Sequence, residues 1–291
     1  MTYSYPHYLI STEQLADSLE TDSDQLRIFD VTVNLVPSPP GYKAVSGLED
    51  YEKEHIPGAT FIDLVSELSD TSSPLGLTCP SSEHLQTAYR GYGINADSQV
   101  VFYSTGHMMW ATRAWWMLHS CGHRNVAVLN GGFASWRREG RAITDEVLTA
   151  QDDGDIEVSL NAARWADKNQ VERAINDSAT CTINALSPGV YSGEADMHYG
   201  RRGHIENSKN VHYDEVLDEG CFRSAGELTT LFSAKGVLDK PQVIAYCGGG
   251  ISATIDALAL TLIGHDNVAI YDGSMSEWVR DESLPLITGH E

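Results

Sequence analysis

The strongest constraint on this chain is that it repeats itself. Gln99-Val100-Val101-Phe102-Tyr103-Ser104 lies on Gln242-Val243-Ile244-Ala245-Tyr246-Cys247. Gly122-His123-Arg124-Asn125-Val126-Ala127-Val128 answers Gly264-His265-Asp266-Asn267-Val268-Ala269-Ile270, and Gly131 with Trp136 answers Gly273 with Trp278 at equal spacing. His55-Ile56 finds its counterpart in His204-Ile205. Chance supplies any one of these pairs but not the set in one order, so the 291 residues read as two homologous domains. Within the first copy, β-type runs at 26–31, 60–64, 99–103 and 126–129 alternate with helical patterns at 82–92 and 111–120. An earlier helix starts at Ser11 or Thr12. This alternation predicts an α/β fold, each domain a mostly parallel sheet flanked by helices on both faces. The expected division is a domain at 1–143, an acidic linker at 144–156 around Gln151-Asp152-Asp153-Gly154-Asp155, and a second domain at 157–291. The Pro- and Gly-rich stretch 37–47 reads as a loop.

The repeat also isolates one chemical difference. The four apolar or aromatic residues before Cys247 read as a buried strand, and Ile255, Leu258, Ala259, Leu262 and Ile263 recur after it at helical spacing, ending at Gly264. Cys247 thus sits at a strand-to-helix turn, where backbone N–H groups and the helix dipole converge and favour an anion. Gly248, Gly249 and Gly250 let the backbone curl closely around whatever the sulfur carries, with Ile251, Ser252 and Ala253 completing the loop. Taken alone, the pattern fits a buried thiol before a tight turn equally well. The matching position in the first copy is Ser104, whose alcohol cannot form a persulfide, so this route allows only one active half. The first loop, 104–110, is one residue longer and lacks the glycine run; it reads as packing against the other domain or as one wall of a substrate cleft.

Composition narrows the partners. Nineteen basic against forty-one acidic residues give a net charge of −22, which opposes nucleic acid and anionic membrane surfaces. The same field repels a small anionic substrate unless local cations hold it, which draws attention to Arg201 and Arg202. Cys79, Cys121, Cys181, Cys221 and Cys247 are odd in number and lack zinc-site spacing, so free thiols in a reducing compartment are expected, with no metal. With neither a signal-like start nor a membrane-length apolar run, the expected location is the cytoplasm.

Taken together, several segments resemble the two-domain sulfurtransferases, the family of rhodanese and 3-mercaptopyruvate sulfurtransferase. They are His55-Ile56-Pro57-Gly58-Ala59, Arg113-Ala114-Trp115-Trp116-Met117-Leu118, Gly131-Gly132-Phe133-Ala134-Ser135-Trp136, Gly203-His204-Ile205, the 247–253 loop, and Tyr271-Asp272-Gly273-Ser274-Met275-Ser276-Glu277-Trp278. The resemblance implies tandem rhodanese-like domains, an inactive first and a catalytic second, and transfer of sulfane sulfur through a Cys247 persulfide. It implies a small anionic donor, thiosulfate or 3-mercaptopyruvate, a thiol, cyanide or thioredoxin-like acceptor, and no metal or organic cofactor. The uncharged loop is nearer the Cys-Gly-Ser-Gly-Val-Thr loop of the mercaptopyruvate enzymes than the basic loop of rhodaneses. Gly249 nevertheless stands where that group has a serine, and Asn184-Ala185-Leu186 where it has Asp-Ala-Arg. Arg201 matches one anion-clamping arginine and Arg202 is the candidate substitute for the other. His55 occupies the family's histidine position, as a donor-site residue or as a hydrogen-bonding residue before the Pro-Gly turn.

The remaining residues have plainer readings. Trp115, Trp116, Trp136 and Trp278 are expected in the core, Asp272 as a strand-end cap, and Asp256 on a solvated helix face. Cys79, Cys121, Cys181 and Cys221 are expected to be inert. A phosphatase of the same fold needs an arginine where the count from Cys247 lands on Ala253, and a nucleotide site needs a fingerprint that Gly248-Gly249-Gly250 does not supply. A sulfur-carrier module that hands its persulfide to a protein partner is the other reading of the same loop.

Overall fold

The repeat folds as two copies of one five-stranded parallel sheet. The computed structural model describes residues 1–21, 24–38, 41–148, 152–197 and 199–290; part of the expected linker, 149–151, lies outside them. The first copy contains β1 (Leu9–Ile10), α1 (Thr12–Glu20), β2 (Leu26–Asp30), β3 (Val33–Ser38), β4 (Gly41–Ser46), α2 (Leu48–Tyr51) and β5 (Ala59–Phe61). It continues through α3 (Ser82–Gly91), β6 (Gln99–Tyr103), α4 (Met109–Ser120), β7 (Val126–Leu129) and α5 (Gly132–Arg138). The second copy runs β8 (Trp165–Ala166), α6 (Lys168–Ala174), β9 (Thr180–Asn184), α7 (Pro188–Ser192), β10 (His204–Ile205), β11 (Lys209–Asn210), β12 (Leu217–Asp218) and β13 (Cys221–Phe222). It ends with α8 (Ala225–Ala234), β14 (Gln242–Tyr246), α9 (Ala253–Leu262), β15 (Val268–Tyr271), α10 (Ser274–Trp278) and β16 (Leu286–Ile287). The sheet orders, β1-β7-β6-β2-β5 and β8-β15-β14-β9-β11, superpose position by position.

Period-two alternation assigns the faces of the first sheet. Val100 and Phe102 join the larger core with Leu85 and Tyr89 of α3, whereas Val101 and Tyr103 join a smaller one with Leu15 of α1 and Trp136 of α5. Ser11 caps α1 through a capping box with Gln14, as its sequence position predicts.

The turns at the strand ends repeat as well. Tyr103 Oη accepts from Ile56 N at 3.3 Å, as Tyr246 Oη accepts from Ile205 N at 3.0 Å. His55 stacks on Tyr51 and His204 on Tyr191, each with Nδ1 on that tyrosine's own carbonyl.

Helices α4 and α9, equivalent in the repeat, pack on each other and join the halves. Nearly every residue of both is buried, the pattern of helices enclosed on all sides. Thr112 and Thr254 hydroxyls meet at 2.8 Å across this seam. The four tryptophans expected in the core are all buried.

Two expectations need correction. The 37–47 stretch is largely a β3–β4 hairpin, whose antiparallel register runs from Val33–Ser46 to Ser38–Gly41. Asp256 is not solvated: α9 has no wet face, and the carboxyl is fully buried with no hydrogen-bond partner among the described residues. Burial, followed by the charge of Glu215, pushes Asp256 well above the usual carboxylate range, with Lys235 opposing. Among the described residues no helix is long and apolar enough to cross a membrane.

Candidate active site

β14 delivers Cys247 to the carboxyl end of the second sheet, and α9 begins six residues later. Cys247 is 2% exposed. The loop between them is held by its carbonyls. Cys247 O accepts from Met275 N at 3.1 Å, and Gly248 O accepts from Ser276 N at 2.8 Å and Ser276 Oγ at 2.7 Å. Gly250 O accepts from Arg113 Nη1 at 3.1 Å, and Ile251 O from Thr254 N and Oγ1. Cys247 N donates to Ser274 Oγ at 3.1 Å. From Gly248 to Ala253, by contrast, no backbone N–H donates to any acceptor among the described residues. Buried N–H groups are rarely left so, and a run of them at the amino end of a ten-residue helix favours an anion.

Each glycine has its own reason. A Cβ on Gly248 would fall 2.0 Å from Tyr199 Oη, so Tyr199 lies directly on this residue. Gly250 has φ +74° and a Cβ there would meet Asp272 O at 2.7 Å. A Cβ on Gly249 would meet nothing nearer than Ser276 Oγ at 3.9 Å, an ordinary contact, so the sequence's departure from serine there is not a steric requirement. Burial and then the negative charge of Cys247 raise Tyr199, keeping it a neutral hydrogen-bond donor; burial, Asp214 and Cys247 raise Tyr213 likewise. These two phenols were not singled out from sequence; Tyr199 stands on an irregular segment with no periodic signal.

The other expected site residues are engaged elsewhere. Arg201 donates to the carbonyls of Asp281 at 3.0 Å and Leu284 at 3.1 Å. Arg202 donates to the carbonyls of Gly193 and Ala195 and lies 3.8 Å from Asp196. His55 is fully buried in the first half, with Nδ1 on Tyr51 O at 2.7 Å and Nε2 on Glu146 O at 3.2 Å. Among the described residues, none of the three makes a hydrogen bond or ion pair with the 247–253 loop. Asp272 does more than cap a strand: it pairs with Arg113 and accepts from Cys79 N. All the cysteines are free thiols; burial pushes Cys121 up to about 12 and raises Cys79 and Cys181 as well, consistent with inert groups.

A cysteine on an N–H-lined strand-to-helix turn, repeated without its thiol in a first copy, places the chain among known proteins. The model of the rhodanese-like domain matches residues 11–139 and 184–281, and the chain belongs to that family. It is 32% identical over 282 residues to the 3-mercaptopyruvate sulfurtransferase of Escherichia coli K12, covering 96% of this chain and 97% of that protein. It is 34% identical over 280 residues to the thiosulfate sulfurtransferase of Rattus norvegicus, covering 94% and 92%. The crystal structure of SseA from Escherichia coli, described as a 3-mercaptopyruvate sulfotransferase, superposes with a TM-score of 0.81 at 31% identity, over 93% of this chain and 99% of that one. The chain is a tandem rhodanese-like protein and an enzyme of sulfur transfer.

Proposed function

We propose that Cys247 carries sulfur as a persulfide between a small anionic donor, thiosulfate or 3-mercaptopyruvate, and a thiol, cyanide or thioredoxin-like acceptor. The observation that carries this reading is the run of unpartnered N–H groups from Gly248 to Ala253 beside the thiol. The Cys247 thiolate attacks the sulfane sulfur of thiosulfate. A new S–S bond forms, the donor's S–S bond breaks, and its electron pair leaves with sulfite. With 3-mercaptopyruvate the C–S bond breaks instead, and the carbon takes a proton to give pyruvate. The terminal sulfur of the persulfide is the anion that the loop N–H groups receive. An acceptor thiolate or cyanide then attacks that outer sulfur and releases the Cys247 thiolate. The second half, 157–291, does this chemistry while 1–143 supports it.

Tyr199, which lies on Gly248, and Tyr213 are held neutral in the neighbourhood of Cys247. Arg201 and Arg202 act on donor binding by anchoring the segment that carries Tyr199: their guanidiniums hold both sides of it to neighbouring carbonyls. His55 contributes through the Tyr51 turn rather than by proton transfer. The test is a steady-state comparison of thiosulfate and 3-mercaptopyruvate with wild type and Cys247→Ser. Ping-pong turnover that disappears in the variant supports the reading; turnover that persists at the wild-type rate overturns it. Sulfur that loads onto Cys247 but passes only to a protein acceptor would make the chain a carrier.

A further inference from the structure

One side chain of the first half ends inside the loop of the second. Arg113, on α4, is fully buried. Its Nη1 donates to Gly250 O at 3.1 Å and pairs with Asp272 Oδ1 at 2.7 Å, and its Nη2 donates to Leu77 O at 2.9 Å. Its guanidinium lies 5.0 Å from the centre of the Trp165 ring. Asp272 Oδ2 accepts the Cys79 N–H at 2.7 Å, so both halves close around the pair. A buried ion pair adds little net stability, because desolvation offsets most of its attraction. The contact with Gly250 gives this pair a second consequence.

We propose that Arg113 is a positioning residue for sulfur transfer: by holding the Gly250 carbonyl it sets the Gly250–Ile251 peptide so that the Ile251 N–H faces the sulfur on Cys247. A trans peptide places its C=O and N–H on opposite edges of one plane, so fixing the carbonyl on Arg113 fixes the N–H on the other edge. That N–H has no acceptor among the described residues. The α10 end holds the carbonyls of Cys247 and Gly248, but at Gly250, where a glycine at positive φ is intrinsically mobile, the restraint comes from the first half. Arg113 does not touch the reacting sulfur; it acts through Gly250. The inference rests on the persulfide reading above, and it makes the first half, whose own loop carries Ser104 in place of the cysteine, a working part of the site.

Two full-length variants test it. Arg113→Lys keeps a charge for Asp272 but has no planar fork to serve Asp272, Gly250 and Leu77 together. The double variant Arg113→Met/Asp272→Asn leaves no unpaired buried charge, so it folds even where the single one does not. After circular dichroism and thermal melting establish folding, donor kcat and KM and the lifetime of the mass-detected persulfide are measured. In both variants kcat falls about tenfold, donor KM stays within about twofold, and the persulfide decays several-fold faster. A folded double variant with the wild-type kcat and persulfide lifetime makes Arg113 a structural ion pair only and overturns the proposal. Wild-type protein that gains no sulfur on Cys247 sinks the persulfide reading itself, a distinct result seen before either variant is made.

Discussion

The two strand-to-helix loops share a frame and differ in what their N–H groups do. In both, the residue after the fourth strand offers its carbonyl to a helix that follows the next strand: Phe133 N donates to Ser104 O at 3.2 Å, and Met275 N to Cys247 O at 3.1 Å. In the first loop backbone donors at both ends find acceptors. Thr105 N donates to Thr32 Oγ1 at 2.8 Å, Met109 N to His107 Nδ1 at 3.1 Å, and Ser104 Oγ to His107 O at 2.8 Å. His107 also reaches Asp214 of the second half at 3.2 Å, so this loop is a domain contact as well. The second loop fastens its carbonyls outward and leaves its N–H groups unanswered. The exchange of serine for cysteine is thus only part of the divergence; the loops also differ in how many of their N–H groups are taken up.

The sharpest way to break the second loop without touching its thiol is Gly250→Ala. The added Cβ faces Asp272 O at 2.7 Å and the backbone is already at φ +74°. Strain of about 1–3 kcal/mol is expected in stability, with turnover down about a hundredfold as the N–H array is displaced. A melting curve and a sulfur-transfer assay on the purified variant measure both.

The strand ends beneath the loops give a second contrast. Asp30 of β2 matches Asn184 of β9, and each Oδ1 accepts the N–H two residues on, Thr32 N at 2.9 Å and Leu186 N at 2.8 Å. Burial raises Asp30 from 3.8 to about 6, against the lowering effect of its Thr32 bonds. The native state therefore binds more protons than the unfolded chain between about pH 4 and 6, and stability falls as pH rises through that window. The loss is complete above pH 6 and amounts to about 3 kcal/mol for a shift of this size. Asp30→Asn, the second half's own choice, should remove it and raise stability at pH 7 relative to pH 4. Buried His119, lowered to about 3 by burial and then by Arg164 and Arg124, opposes the trend. The quantity to read is thus the wild-type minus variant difference in urea midpoints. A difference that does not change between pH 4 and 7 would refute the assignment.

Smaller effects follow. Arg201→Ala frees the Tyr199 segment from Asp281 and Leu284 and should raise donor KM several-fold with little change in kcat; an unchanged KM for both donors removes Arg201 from the account. Ser104→Cys puts a thiol in the first loop and should add no carried sulfur, because Thr32 and His107 already engage the Thr105 and Met109 N–H groups there and the glycine run is absent. A second sulfur detected on that cysteine would show that the thiol alone decides activity.

Much of this architecture was legible in the sequence because the repeat supplies two readings of every element, and the alternation of strand and helix survives in both. The thiol and its glycines were legible for the same reason. What escaped depends on contacts across the seam. Asp256 carries the pattern of an exposed helix position, but α9 is enclosed by its own sheet and by α4, so periodicity had no wet face to report. Arg113 is a lone cation in a tryptophan-rich helix, and only the other half reveals what it holds. Arg201-Arg202 has the sequence of an anion clamp, yet backbone carbonyls already occupy both guanidiniums. The 37–47 stretch reads as a loop from its Pro and Gly content, while its β-branched and aromatic flanks pair as a hairpin.

The measurement that bears most directly on a single sulfur-carrying loop is peptide-resolved mass spectrometry after brief exposure to donor. A gain of about 32 Da, one sulfur atom, is predicted on the peptide containing Cys247 and on no other, lost on adding cyanide and absent in Cys247→Ser. The same gain on a peptide containing Cys79, Cys121, Cys181 or Cys221, with transfer retained in Cys247→Ser, would contradict it.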